Sequence, residues 1–121
     1  MKRSILLQTG RPAVFGPFVE ELERQDCTVT TVADAATCQS CVQRQAPQLV
    51  VVDAATQEQA RLDVIGIMRV NALVHTAVVT DMAEGLFHDV MEGLGILCSL
   101  PPEPGPEDAR RLVRLLTDIL A

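Results

Sequence analysis

Pro47-Gln48-Leu49-Val50-Val51-Val52-Asp53 places four aliphatic residues in a row and ends them on a carboxylate. A strand with one solvated face would alternate polar and apolar residues. An unbroken aliphatic run instead suits a strand covered on both faces, the condition of a parallel sheet between two layers of helices. The residues after Asp53 support this reading. Thr56 and Gln59 form a capping box, and Leu62, Ile65 and Met68 follow at helical spacing, so a helix is predicted directly behind the strand.

The same alternation extends in both directions. Upstream, Asp34 is a good N-cap for a helix running to about Ala46, before Pro47. Residues 28–33 (TVTTVA) are β-branched and predict a strand. Val14, Phe15, Phe18, Val19 and Leu22 recur at helical spacing, and Ile5-Leu6-Leu7 is a first strand stopped by Thr9-Gly10-Arg11-Pro12. Downstream, Ala77-Val78-Val79 leads to Thr80, and Asp81-x-x-Glu84 opens a helix carrying Leu86, Phe87 and Met91. Ile96-Leu97-Cys98 is expected to be the last strand. Pro101, Pro102, Pro104 and Gly105 make a stiff turn, and Pro106 starts a closing helix with Leu112, Val113, Leu115, Leu116 and Ile119. The order βαβαβαβαβα predicts one α/β domain over residues 1–121, a doubly wound parallel sheet of flavodoxin-like type with strand order 2-1-3-4-5. Chemistry in such sheets collects at the carboxyl ends of the strands, here Gln8, Thr9 and Gly10, then Asp53, Thr80, Ser99 and Leu100.

Composition narrows the function classes. The 121 residues are 48% hydrophobic with a formal charge of −6, and the mean hydropathy is +0.22. A net negative domain repels phosphate backbones, so binding of nucleic acid is not expected. No apolar run is long enough to cross a membrane, and the aliphatic stretch near the start is too short for a signal-peptide core. A cytoplasmic location with reduced cysteines is therefore expected. The closing helix finishes as the chain does, which fits either a self-standing domain or the N-terminal part of a longer regulator.

The strand-end residues carry a resemblance. PQLVVVD resembles the third strand of response-regulator receiver domains, the CheY-like family of two-component signalling, and Asp53 falls at its phosphoacceptor position. AVVTD resembles the fourth strand, with Thr80 at the position of the family's hydroxyl residue. MEGLGILCSLPP resembles the glycine turn, fifth strand and strand-ending proline, with Gly93 and Pro101 matching. The resemblance spans the whole chain and implies a non-enzymatic signalling module that contacts a histidine-kinase-type component or another protein. The departures are specific. Thr9 and Gly10 stand where the family has an acidic pair that holds magnesium, Leu100 replaces its lysine, and Leu97 stands where a switching aromatic is common. Lys2, the only lysine, lies near the opposite end of the first strand. Phosphorylating a carboxylate needs a cation to neutralise the crowded charge, and magnesium is held by carboxylates plus substrate oxygens. The degenerate positions therefore predict an atypical receiver without magnesium, in which Asp53 is not phosphorylated and serves instead as an exposed cap at a strand end.

Two other readings stay open. One is a working phosphoacceptor at Asp53 reached by an atypical route. The other is a thiol redox or metal-binding domain built on Cys38-x-x-Cys41, with Cys27 or Cys98 completing a zinc site. Cys38, Cys41 and Val42 also fit the apolar face of a helix, so both thiols are expected to be reduced, mostly buried and metal-free. His75 and His88 have no partner at a ligand spacing. No Lys or Arg occurs between Arg69 and Arg110, while Asp81, Glu84, Asp89 and Glu92 accumulate on the fourth helix. A homodimer through helix 4, strand 5 and helix 5 is expected, with Arg110, Arg111 and Arg114 facing a partner's acids.

Overall fold

The computed structural model describes residues 2–120. The elements are β1 (Arg3–Thr9), a 3-10 turn (Pro12–Phe15), α1 (Gly16–Arg24), β2 (Cys27–Val32), α2 (Ala35–Arg44), β3 (Leu49–Asp53), α3 (Gln57–Val70), β4 (His75–Val79), α4 (Glu84–Val90), β5 (Cys98–Leu100) and α5 (Pro106–Leu120). All strand pairs are parallel, in the order β2-β1-β3-β4-β5, as the alternation predicts. No helix is long and apolar enough to cross a membrane among the described residues.

The pleat divides the core into two layers. Ile5, Leu7, Leu49, Val51, Ala77 and Val79 pack against Phe15, Phe18 and Leu22 of the α1 side and Leu112 and Leu116 of α5. Leu6, Val50, Val52 and Val78 point to the other face, onto Cys38 and Val42 of α2, Val64 and Ile67 of α3, and Phe87 and Met91 of the α4 segment. Leu49, Val50, Val51 and Val52 are each 0% exposed, so the aliphatic run is covered from both sides. Burying each such side chain stabilises the fold by roughly 1.5–3 kcal/mol. Asp34 and Thr56 cap α2 and α3 by accepting the Thr37 and Gln59 backbone N–H groups at 2.7 and 3.1 Å.

Three local expectations are corrected. The α3 stripe is rotated: Ala60, Asp63, Val64 and Ile67 are buried, while Leu62 is 49% exposed. At Gly66 the Gln39 side chain of α2 comes so close that an added Cβ would strike its amide. Leu86 of α4 is exposed and only Phe87 within that helix is buried. The last strand begins at Cys98, two residues late, because its ladder pairs Ala77 with Cys98 and Val79 with Leu100. Before it, Gly93 and Gly95 take φ of 87° and 63°, values that favour glycine, and turn the chain back toward the sheet. The link from α1 to β2 uses the left-handed region too, at Asp26 with φ 65°.

Candidate functional site

Parallel register brings Thr9, the last residue of β1, level with Asp53, the last residue of β3. The Thr9 hydroxyl donates to Asp53 Oδ2 at 2.6 Å and accepts the Arg11 backbone N–H at 2.9 Å. Arg11 then folds its guanidinium back over the carboxylate. Its Nε donates to Oδ2 at 3.0 Å and its Nη2 to Oδ1 at 2.9 Å, a bidentate pair. The same Nη2 donates to the Pro102 carbonyl at 3.0 Å, and the guanidinium carbon lies 5.7 Å from the centre of the Phe15 ring. The Asp53 side chain is 6% exposed and that of Arg11 is 43% exposed. Hydrogen bonding to Asp53 is the main cause that holds the Arg11 guanidinium above its ordinary pKa, and Glu103 adds a weaker push in the same direction.

Asp53 is therefore not the exposed cap expected from sequence; both of its oxygens are engaged inside the protein. The residue missed was Arg11. Its signal was an arginine two positions beyond a strand whose end must, in this topology, lie beside the end of β3. Gly10 is exposed and contributes only backbone. Leu100 is turned into the core, and its carbonyl accepts the Thr80 N–H at 2.8 Å. Lys2 precedes β1, so it lies at the opposite edge of the sheet.

Thr80 shares the carboxyl edge with Asp53 but makes no bond to it. Its side chain follows Val78 onto the α2–α3–α4 face, where its hydroxyl oxygen accepts the Met82 N–H at 3.0 Å and the Gln57 side-chain amide. On this face a second carboxylate is buried. Asp63 of α3 is 4% exposed; it accepts the Gln8 amide at 2.8 Å and the Gln59 amide at 2.7 Å. It makes no ion pair among the described residues. The Oε1 atoms of Gln8 and Gln57 are buried without a partner among the described residues. The polar residues at the strand ends thus form two groups on opposite faces, one closed by a guanidinium and one by amides.

The cysteines are divided as well. Cys38 and Cys41 belong to the α2–α3–α4 layer and Cys27 and Cys98 to the α1–α5 layer, so the sheet separates the residues that would complete a zinc site. Cys38 is fully buried, and burial foremost pushes its thiol up to about 12, with Cys41 and Asp63 adding to the shift. Cys41 is half-buried, and Arg44 Nη2 donates to its Sγ at 3.6 Å. No group of three or more His, Cys, Asp or Glu side chains is placed to hold a metal among the described residues. Two of the three α5 arginines expected to face a partner are engaged internally. Arg110 pairs with the buried Glu21 of α1 at 3.5 Å, and Arg111 donates to the Ser99 carbonyl at 2.8 Å. Between α4 and α5 runs an open groove of about 850 Å³, with Phe87, Met91, Leu97 and Leu115 among its walls and Glu84 and Glu92 contributing acid.

No protein-family model and no curated protein matches the sequence. Solved structures do match. A response regulator from Thermotoga maritima aligns at 13% identity over 97% of this chain and 99% of its own, with a TM-score of 0.85. A CheY-like receiver domain protein from Methanospirillum hungatei JF-1 aligns at 14% identity over 98% and 96%, TM-score 0.80. A CheY-like protein from Pseudomonas aeruginosa PAO1 aligns at 12% identity over 96% and 94%, TM-score 0.73. The chain has the fold of response-regulator receiver domains, from its first strand to its last helix.

Proposed function

We propose that this domain is an atypical receiver that signals by protein–protein contact and is not switched by magnesium-dependent phosphorylation of Asp53. The observation that carries this reading is the bidentate Arg11–Asp53 pair. A phosphodonor would have to approach a carboxylate whose two oxygens are already held by Arg11 and Thr9. Magnesium typically takes one or two protein carboxylates plus waters and phosphate oxygens. Here the neighbouring strand-end side chains are Thr9, Gln8 and Thr80, none of them charged, and Asp53 is committed to an internal cation. Leucine at position 100 offers no charge to pair with a phosphoryl group. The donor set does not suit magnesium, and no step is assigned to it. The domain on this reading is cytoplasmic, not an enzyme, and binds neither nucleic acid nor membrane.

The partner is a protein, either a histidine-kinase-type component or an output element, and the α4–β5–α5 face is the contact. Support comes from its apolar groove with an acidic margin, and from the run between Arg69 and Arg110 that holds no basic residue. A homodimer is the self-contact of the same face, where Arg111 lines the groove and donates to the Ser99 carbonyl, while Arg110 and Arg114 line the other side of α5 toward Gln25.

The direct test is intact mass spectrometry after incubation with acetyl phosphate and Mg²⁺. No added phosphoryl group is expected. A single phosphoryl adduct that disappears in Asp53→Asn would overturn the reading.

A further inference from the structure

The turn between β5 and α5 has an unusual hydrogen-bonding inventory. Pro101, Pro102, Pro104 and Pro106 have no backbone N–H, so only Glu103 and Gly105 can donate. Gly105 N–H is taken by the Asp108 carboxylate at 2.9 Å, within the start of α5. Across Pro101–Pro104 the single hydrogen bond to another part of the chain, among the described residues, is the one from Arg11 to the Pro102 carbonyl. That donor nitrogen also holds Asp53. Arg11 is therefore the polar connection between the end of β3 and the β5–α5 turn. Arg11 is aimed at Asp53 by three things: the carboxylate itself, the Thr9 hydroxyl that fixes its backbone, and the Phe15 ring beside it. Glu103, on the turn, also acts on the Arg11 charge and offers a second carboxylate.

We propose that Arg11 is an internal latch tying the β5–α5 turn to the Asp53 carboxylate, so that the turn is released when Asp53 loses its charge. A charge-assisted bidentate pair is held far more tightly than a guanidinium on a neutral amide. With Asp53 neutral, the guanidinium loses the carboxylate that aims it, and the Pro102 carbonyl loses its donor. Pro104 is buried and keeps the turn's far side in place, so the movement is confined to Pro101–Glu103. The latch is independent of whether any phosphodonor can reach Asp53.

Nuclear magnetic resonance of the full chain tests it through Glu103 and Gly105, the two amides of the turn. In the unmodified protein, the Arg11 Nε–H signal should be protected from exchange by Asp53, and the Nη2 protons should lie close to Pro102. Arg11→Met, which keeps an aliphatic stem beside Phe15, and Asp53→Asn should both shift the Glu103 signal and leave Gly105, held by Asp108, in place. Thr80→Val alters the same sheet edge on the opposite face and should leave both signals in place. The latch is refuted if Asp53→Asn removes Arg11 Nε–H protection without moving Glu103, or if Thr80→Val moves the turn equally. Should a variant fail to fold, the unmodified protein still decides: an unprotected Arg11 Nε–H, or Nη2 protons with no proximity to Pro102, rules the latch out.

Discussion

Asp53 and Asp63 are both buried near the carboxyl edge of one sheet, and the protein accommodates their charges in different ways. Asp53, on the α1–α5 side, meets a guanidinium that is itself nearly half exposed. Asp63, on the other side, meets the side-chain amides of Gln8 and Gln59 and no cation. Removing a carboxylate from water costs several kcal/mol unless its lone pairs are satisfied. A cation does this from the rim, with one arm that can leave. Amides do it from within the packing, where they have nowhere to go. The first arrangement permits movement; the second fixes α3 to the sheet.

The largest effect should come from breaking the amide-held site. Asp63→Leu strands the buried Gln8 amide, and thermal or urea unfolding should show a loss of about 2–3 kcal/mol. Adding Gln8→Leu removes the stranded group and should restore most of that loss. Equal destabilisation of the single and double variants would mean that Asp63 contributes volume rather than polar pairing. An intermediate effect is expected at the cation-held site. Arg11→Met and Asp53→Asn should each cost about 1 kcal/mol, discounted for the exposure of Arg11. The double variant should cost little more than either, because both remove one interaction. Additive losses would show that Arg11 and Asp53 act separately.

Smallest at neutral pH is an effect confined to the alkaline limb. The Cys38 thiol sits at about 12 in the folded protein against an ordinary 9.0, chiefly through burial and in part through its neighbours Cys41 and Asp63. The folded state therefore binds the proton more tightly, so stability is insensitive to this group below about pH 8 and falls as pH climbs from 9 toward 12. Cys38→Ala should start from a lower stability and decline less steeply. An unchanged slope in alkaline unfolding curves would show that burial does not raise the Cys38 thiol. Burial also raises Cys27 and Cys98, so the slope should shrink rather than vanish.

Much of the fold was legible because it is written in periodicity. The Leu49–Val52 run, the caps at Asp34 and Thr56, and the proline at the start of α5 all have local physical causes, and β3, α2, α3 and α5 begin where predicted. The failures were at positions decided by neighbours distant in sequence. Leu62 looked like core, but it is exposed while its neighbour Asp63 is buried against Gln8 of the sheet. The start of β5 depended on its ladder with β4, which the Ile96-Leu97-Cys98 triplet does not reveal. At the strand ends, the positions of Thr9, Asp53, Thr80 and Leu100 followed from topology alone. What Asp53 touches did not, because its partner lies 42 positions away on a side chain long enough to fold back. Counting charges at strand-end positions overlooked a charge that begins in a loop.

The outer edge of β2 carries a different consequence. From Cys27 to Val32 this strand has no charged residue, and Thr28, Thr30 and Thr31 are exposed along it. Edge strands usually discourage the pairing of copies with a lysine, a proline or a bulge, and none of the residues here is lysine or proline. Protection against such pairing therefore falls to long-range repulsion from the whole molecule, whose formal charge is −6 at pH 7. That repulsion fades with added salt, as the Debye length shrinks to about 3 Å at 1 M. It also fades with acidification toward the pI of 4.7. Colloidal behaviour, rather than fold stability, then sets the conditions under which this protein can be handled at high concentration.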